Sequence, residues 1–173
     1  MKLLDDPNKP MFNRPIQASY PPGSVFKVIA ALTAQQAGVI TPETAFNCPG
    51  GYRYGGGRAF MRCSSVCGHI SLVRSIERSC NTYYGHVYAR MIDSRGMSGP
   101  EAYSLWRDGM TKFGLGSPLG IDLPSEKGGF IPEADYYTKR YGNDSWRSNF
   151  NISLSIGHGE LGITPLQMAN LMA

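Results

Sequence analysis

The chain has 173 residues and 42% hydrophobic content, enough for about one domain with a core of its own, which excludes a disordered chain. Charged residues make up only 17%, and the 17 Lys and Arg against 13 Asp and Glu leave a formal net charge of +4. Those basic residues are scattered rather than gathered into a stripe, so nucleic acid is excluded as a partner. The apolar run at 28–32 is far short of the ~20 residues that cross a bilayer, and the N-terminus lacks the regions of a signal peptide. No membrane anchor is expected within these residues.

With 21 Gly and 12 Pro, the chain reads as loop-rich. It is irregular to Pro22, where Pro21-Pro22-Gly23 holds the backbone extended. A helix is predicted from Ser24, with Val25, Val28, Ile29 and Leu32 at helical spacing, closing at Gly38 as a buried element. Residues 39–69 form a long Gly- and Cys-rich excursion of the kind that needs a staple. Ile70, Val73 and Ile76 predict a short helix, interrupted by Ser79-Cys80-Asn81 and resumed from Thr82 to Met91. A capping box at Ser98 and Glu101 opens a helix through Phe113, followed by turns and short strands to about residue 133. Residues 134–150 show no clear period and receive no element. The alternation of Ile152, Leu154 and Ile156 predicts a strand, and a second capping box at Thr164 and Gln167, with Pro165 at the first helical position, opens a last helix.

The sharpest chemical feature is Ser24-Val25-Phe26-Lys27 at the head of an apolar helix. One turn separates the hydroxyl from the amine, so both project to one side. A serine there gains from the helix N-terminus and from a lysine within reach of its proton, provided that burial keeps the lysine neutral. A plain N-cap beside a solvated lysine is the bland alternative, and the apolar neighbours of Lys27 argue against it. Ser79-Cys80-Asn81 can aim a second hydroxyl and a carboxamide into the same cleft, although such a sequence is more often a mere cap.

Together, Ser24 with Lys27 and Ser79 with Asn81 resemble the first two motifs of the penicilloyl-serine transferases. Tyr20-Pro-Pro-Gly-Ser-Val-Phe-Lys27, Ser79-Cys-Asn-Thr-Tyr-Tyr84, the stretch from Phe113 to Glu126, and Ile156-Gly-His-Gly-Glu-Leu-Gly-Ile-Thr-Pro-Leu-Gln167 resemble the transpeptidase domain of class B penicillin-binding proteins, of the elongation type. The resemblance implies an α/β (α+β) fold with helices on an antiparallel sheet, most of whose strands lie outside these residues. It also implies that residues 1–173 are a partial transpeptidase domain with a Cys- and Gly-rich insertion at about 39–69.

In that family's terms Ser24 is the nucleophile toward stem peptides ending in D-Ala-D-Ala and Lys27 its base. Ser79 relays a proton and Asn81 holds the substrate amide. The implied partners are peptidoglycan stem peptides, β-lactams, a membrane glycosyltransferase and elongation-complex proteins, on the periplasmic side of the inner membrane, with no catalytic cofactor. The alternative is a module that β-lactam acylates without any cross-linking. The family's third motif, Lys-Thr/Ser-Gly, does not occur in the 173 residues, so these residues alone are expected to be inactive.

The cysteines are a separate question. Cys48, Cys63, Cys67 and His69 lie in one excursion and Cys80 sits inside the second motif. Cys48, Cys63, His69 and Cys80, with Cys67 in reserve, are a candidate tetrahedral zinc set that would staple the excursion to Ser79 and Asn81. A Cys63–Cys67 or Cys48–Cys63 disulfide and free buried thiols are the alternatives.

Overall fold

A computed structural model of the chain describes Leu3 and residues 5–173. After a short helix α1 (Arg14–Gln17), a 3-10 turn (Gly23–Phe26) leads without a break into α2 (Lys27–Gln36). The predicted helix at Ser24 is therefore present, with its first turn wound more tightly. Its buried side is Ile29, Ala30, Ala31, Thr33 and Ala34, whereas Val25 and Leu32, expected inside, lie on the open face.

The 39–69 excursion is not loop alone. It folds into two antiparallel ribbons, β1 (Ala45–Cys48) with β4 (Gly68–Ser71) and β2 (Gly51–Tyr54) with β3 (Ala59–Arg62). Pairing is Cys48 to Gly68 in one and Gly51 to Arg62 in the other. These four-residue strands were hidden in the sequence by their shortness and by the turns at Pro49-Gly50 and Gly55-Gly56-Gly57 between them.

Three helices follow in the predicted places: α3 (Leu72–Glu77), α4 (Asn81–Asp93) and α5 (Gly99–Thr111). The capping box at Ser98 and Glu101 is formed, as is the one at Thr164 and Gln167 that opens α7 (Pro165–Met172). Three expectations fail. Residues 134–150 contain α6 (Ala134–Tyr141), whose aromatic face was read as aperiodic, and Ile152–Ile156 is a 3-10 helix rather than a strand. The alternation there finds no strand to pair with; the segment instead packs its Ile152 and Leu154 against α4 and ends at Gly157 in the left-handed region. The turns at 114–133 contribute a single bridge, Phe130 to Gly162, and no named strand.

Helix α4 runs through the centre, covered by α2, α5, β1 and the 152–156 turn. An aromatic chain extends from it. Phe26 meets Trp106 at 6.0 Å, Trp106 meets Tyr88 edge-on at 5.4 Å, and Tyr103 links Trp106 to Tyr137 and Trp146. Phe26 thereby ties the Ser24 turn to the densest part of the core. Buried Gln167 organises the far side, its Nε2 amide lying 2.7–3.1 Å from the carbonyl oxygens of Gly114, Ser117 and Gly128.

The segment that leads into Ser24 is clamped by the block at 156–167. Tyr20 and Ile163 exchange both backbone hydrogen bonds, at 3.0 and 2.8 Å, and Gly23 N–H donates to Gly157 O at 2.9 Å. Gly157 has φ +74°, and a Cβ there would run into the Gly23 backbone and Phe26. Gly157→Ala combines left-handed strain with overpacking, so it is expected to destabilise by about 2–4 kcal/mol. Thermal melting beside an exposed-loop control, Gly56→Ala, measures it; equal melting temperatures would show that the clamp is slack.

Candidate active site

Lys27 is 2% exposed although it begins a helix, because Phe26 anchors the turn inward and α4 closes over it. Its Nζ lies 3.0 Å from Ser24 Oγ, 2.9 Å from Ser79 Oγ, 2.8 Å from Ser79 O and 2.6 Å from Asn81 Oδ1. Ser79 Oγ also donates to Ser24 Oγ at 2.9 Å. Two residues 55 positions apart thus share one amine with their hydroxyls in contact. All four residues singled out in the sequence, Ser24, Lys27, Ser79 and Asn81, come together. Ser24 itself is exposed, as a nucleophile must be, and its N–H lies in a first helical turn, where N–H groups lack partners within the helix.

Burial lowers the Lys27 pKa to about 8, outweighing the smaller opposing influence of the neighbouring sulfurs. A substantial neutral fraction near physiological pH follows, and the neutral amine accepts the Ser24 proton that the ammonium cannot. No carboxylate is among its hydrogen-bond partners to hold the proton on, only hydroxyls, a carbonyl and an amide oxygen. Ser79 sits at φ +49°, a strained conformation for a serine, which turns both its hydroxyl and its carbonyl onto Lys27.

Two contributors escaped the sequence reading. Asn81 Nδ2 donates to the Arg62 carbonyl at 2.7 Å, so the end of β3 fixes which way the carboxamide faces. Thr82 is buried beside the cysteines, its Oγ1 3.4 Å from Cys48 Sγ and 3.2 Å from Cys63 Sγ. A backbone acceptor leaves no sequence signal, whereas Thr82 was marked only by adjacency to Asn81.

The cysteines converge too. Cys48, Cys63 and Cys80 are buried, with their sulfurs all within 4.8 Å of one another. Two of them cap α4: Tyr83 N–H points at Cys80 Sγ and Thr82 N–H at Cys63 Sγ, the electropositive helix end favouring sulfur charge. Burial pushes the Cys48 thiol up, but hydrogen bonding to Thr82, Cys80, Gly50 and Cys63 outweighs it and brings the pKa to about 6. Burial and the Cys48 side chain push Cys80 up instead, so the first charge settles on Cys48. This soft, partly ionised donor set fits a tetrahedral thiolate metal.

His69 does not belong to the set. It pairs across the ribbon with Asn47, one position out of step with inward-facing Cys48, so strand alternation turns it to the exposed face. Cys67 is half-buried, with its Sγ 3.7 Å from the Ser65 carbonyl that Cys48 Sγ also approaches, at 4.0 Å. His86, on α4, is half-buried and stacked on Phe46 at 4.8 Å.

An exposed serine, a buried amine and a second serine in mutual contact are the parts of an activated serine nucleophile, set on a mixed helix and sheet scaffold. The chain belongs to the penicillin binding protein transpeptidase domain family, whose model matches residues 3–173. It is 36% identical over 172 residues to the peptidoglycan D,D-transpeptidase MrdA of Escherichia coli K12, covering 98% of this chain and 25% of that protein. Among solved structures it resembles Pseudomonas aeruginosa PBP2 in complex with WCK 5153, with TM-score 0.82 and 29% identity over 98% of this chain and 37% of the other. The Helicobacter pylori PBP2 complexed with MreC is similar as well, with TM-score 0.76 and 30% identity over 96% of this chain and 29% of the other. The chain spans about a quarter of the length of the curated relatives it matches.

Proposed function

We propose that the full-length protein is a peptidoglycan D,D-transpeptidase of the cell-elongation type. The single observation that carries this reading is the position of Lys27 Nζ, within 3.0 Å of both the Ser24 and the Ser79 hydroxyl oxygens. Neutral Lys27 takes the Ser24 proton as Ser24 Oγ bonds to the carbonyl carbon of the penultimate D-Ala. The peptide C–N bond then breaks, the proton passes through Ser79 to the departing D-Ala amine, and an acyl-serine ester remains. An amine of a neighbouring stem peptide attacks that ester, its proton returns by the same route, and Ser24 is restored with the cross-link made. The Ser24 N–H supports the oxyanion, while Asn81 retains an N–H for the substrate amide beyond the one given to Arg62. A β-lactam acylates Ser24 by the first half of this sequence.

Cys48, Cys63 and Cys80, with Cys67 as the fourth ligand, would hold a structural Zn2+. When bound, such an ion supplies cross-linking of the two ribbons to the head of α4 rather than any reaction step. The partner expected from the Helicobacter pylori relative, which was solved with MreC, is the corresponding elongation protein. The working location is the periplasmic face of the inner membrane; among the described residues no helix is long and apolar enough to cross a membrane.

Labelling with a fluorescent penicillin tests the reading. The full-length protein should label with one penicilloyl group on Ser24, and Ser24→Ala should not label at all. Absence of labelling in the wild type would overturn the proposal. Labelling without cross-linked product from stem-peptide substrates would reduce the protein to a β-lactam-binding module.

A further inference from the structure

Strands β2 and β3 form a two-stranded ribbon with no third strand among the described residues, so each keeps one edge free. The ladder decides which groups line those edges. Cys63 N–H donates to Gly50 O at 2.9 Å, which makes residues 50 and 63 a hydrogen-bonded pair. Bonded and non-bonded pairs alternate along an antiparallel ribbon. Tyr52 and Met61 therefore bond to each other, whereas the pairs Arg53 with Phe60 and Gly51 with Arg62 turn their backbone groups outward. The Arg62 carbonyl agrees, since it accepts from Asn81 Nδ2 at 2.7 Å, outside the ribbon. The outer edge of β3 thus starts at the Asn81 carboxamide, and Arg62 N–H, Phe60 C=O and Phe60 N–H follow along it without a hydrogen-bond partner among the described residues.

Side chains leave that edge clear. Tyr52 and Met61 point to the inner face, where both pack on Gly85 of α4. By alternation Arg53, Phe60 and Arg62 share the outer face. A Cβ on Gly51 would lie 2.2 Å from the Phe60 ring, so the ring leans over β2 and away from the β3 edge. The outer face is also electropositive: Arg53 lies 5.2 Å from the centre of the Phe60 ring, and none of the ion pairs among the described residues engages Arg53, Arg62 or Arg58 at the ribbon tip.

We infer that the outer edge of β3 is a binding strand for the acyl-donor peptide: the part of the stem peptide N-terminal to its D-Ala-D-Ala end adds to Phe60 through backbone hydrogen bonds, with its carboxylates on the Arg62 face of the ribbon. The inference rests on the reading of the protein as a D,D-transpeptidase and extends it from the reacting bond to the peptide upstream. Continuity with the catalytic cluster carries it. In that reading Asn81 holds the amide on the acyl side, and the same carboxamide is fixed to one end of this edge, so a chain extending from Asn81 along β3 meets the Phe60 backbone next. Strand addition draws its affinity from main-chain hydrogen bonds, which suits a short peptide of small residues. With only two outward-facing residues, β3 matches a few residues of peptide rather than the long edge strand of a folded partner.

The test uses the full-length protein and a soluble pentapeptide donor ending in D-Ala-D-Ala, with release of D-Ala as the readout. Phe60→Pro removes the outward N–H and spares the ladder, because proline is tolerated where a strand N–H faces away from its partner; Phe60→Ala controls for the lost ring. The donor kcat/KM should fall roughly tenfold in Phe60→Pro relative to Phe60→Ala, mostly through KM, the worth of one backbone hydrogen bond. Acylation by penicillin, which carries no upstream peptide, should be equal in the two variants. Amidating the donor carboxylates should raise KM for the wild type and add nothing in Arg62→Gln.

Equal donor kcat/KM in Phe60→Pro and Phe60→Ala overturns the inference, and amidation without effect on the wild type removes the carboxylate contact from it. Should Phe60→Pro melt early, wild-type protein decides instead with donors N-methylated at each upstream amide. One methyl should raise KM roughly tenfold, because the Phe60 carbonyl loses its donor, and indifference to every methyl overturns the inference. Penicillin labelling of the wild type keeps the two readings apart: labelled protein with these negative results refutes only the strand site, whereas unlabelled protein refutes the transpeptidase reading.

Discussion

Replacing Lys27 by Met is expected to slow penicillin acylation of Ser24 by roughly 10²–10⁴-fold, the usual worth of a positioned general base. Met keeps the length and apolar character of the stem, so the variant should fold with the Ser24 turn still anchored through Phe26 and Trp106. The pH profile separates a base from a mere spacer. Burial sets the Lys27 pKa near 8, and the competent form is the neutral amine, so wild-type acylation should rise with pH through about 8 and level off above it. In Lys27→Met the rise through that window should vanish. A wild-type profile flat between pH 6 and 9, or a shared rise in both proteins, would show that another group removes the proton; stopped-flow acylation with a chromogenic cephalosporin reads either outcome.

The second large effect concerns the sulfurs. Purified without chelator, the full-length protein should carry about one equivalent of zinc per chain, and Cys63→Ala should lose it together with on the order of 10 °C of melting temperature. The size follows from the cluster's place: the three sulfurs join β1, the residue after β3 and the residue before α4, so losing the ion frees two ribbons together. Acylation should slow as well, because Cys80 lies between Ser79 and Asn81, and the β3 end that holds Asn81 adjoins Cys63. Elemental analysis giving less than half an equivalent, with melting indifferent to chelator, would remove zinc. A mass lower by two hydrogens would then show a disulfide, and peptide mapping should place it on Cys48 and Cys63, whose sulfurs lie 3.6 Å apart.

Much of this site was legible in one dimension. Ser24 and Lys27 sit one helical turn apart, so their proximity is a property of local geometry that any helix or 3-10 turn would produce. The capping boxes at Ser98 and Thr164 were equally local and appear as expected. Helix α6 escaped because its one buried residue, Tyr137, is of a type that counts as both polar and apolar, while Asp135, Tyr136, Lys139 and Arg140 are exposed. The 152–156 segment was misread because alternation predicts a strand only where a partner strand is available, and α4 stands there instead.

The metal set divides along the same line. Cys48, Cys63 and Cys80 could be picked as sulfur donors from composition, but which neighbours share their direction depends on strand register. Pairing Cys48 with Gly68 rather than with His69 turns that imidazole away.

The sequence alone determined the chemistry available: a serine and a lysine placed one turn apart, a second serine and an asparagine flanking a cysteine, and a block at 156–167 in the family's order. Tertiary structure decided what that chemistry can do. It buried Lys27 to 2% exposure, which brings its pKa near 8, and it strained Ser79 onto the same amine. It also gave the 156–167 block its role, with Gly157 and Ile163 clamping the backbone that leads into Ser24. Short-range geometry follows from residue spacing, whereas desolvation and contacts across some fifty residues exist only once the chain has packed.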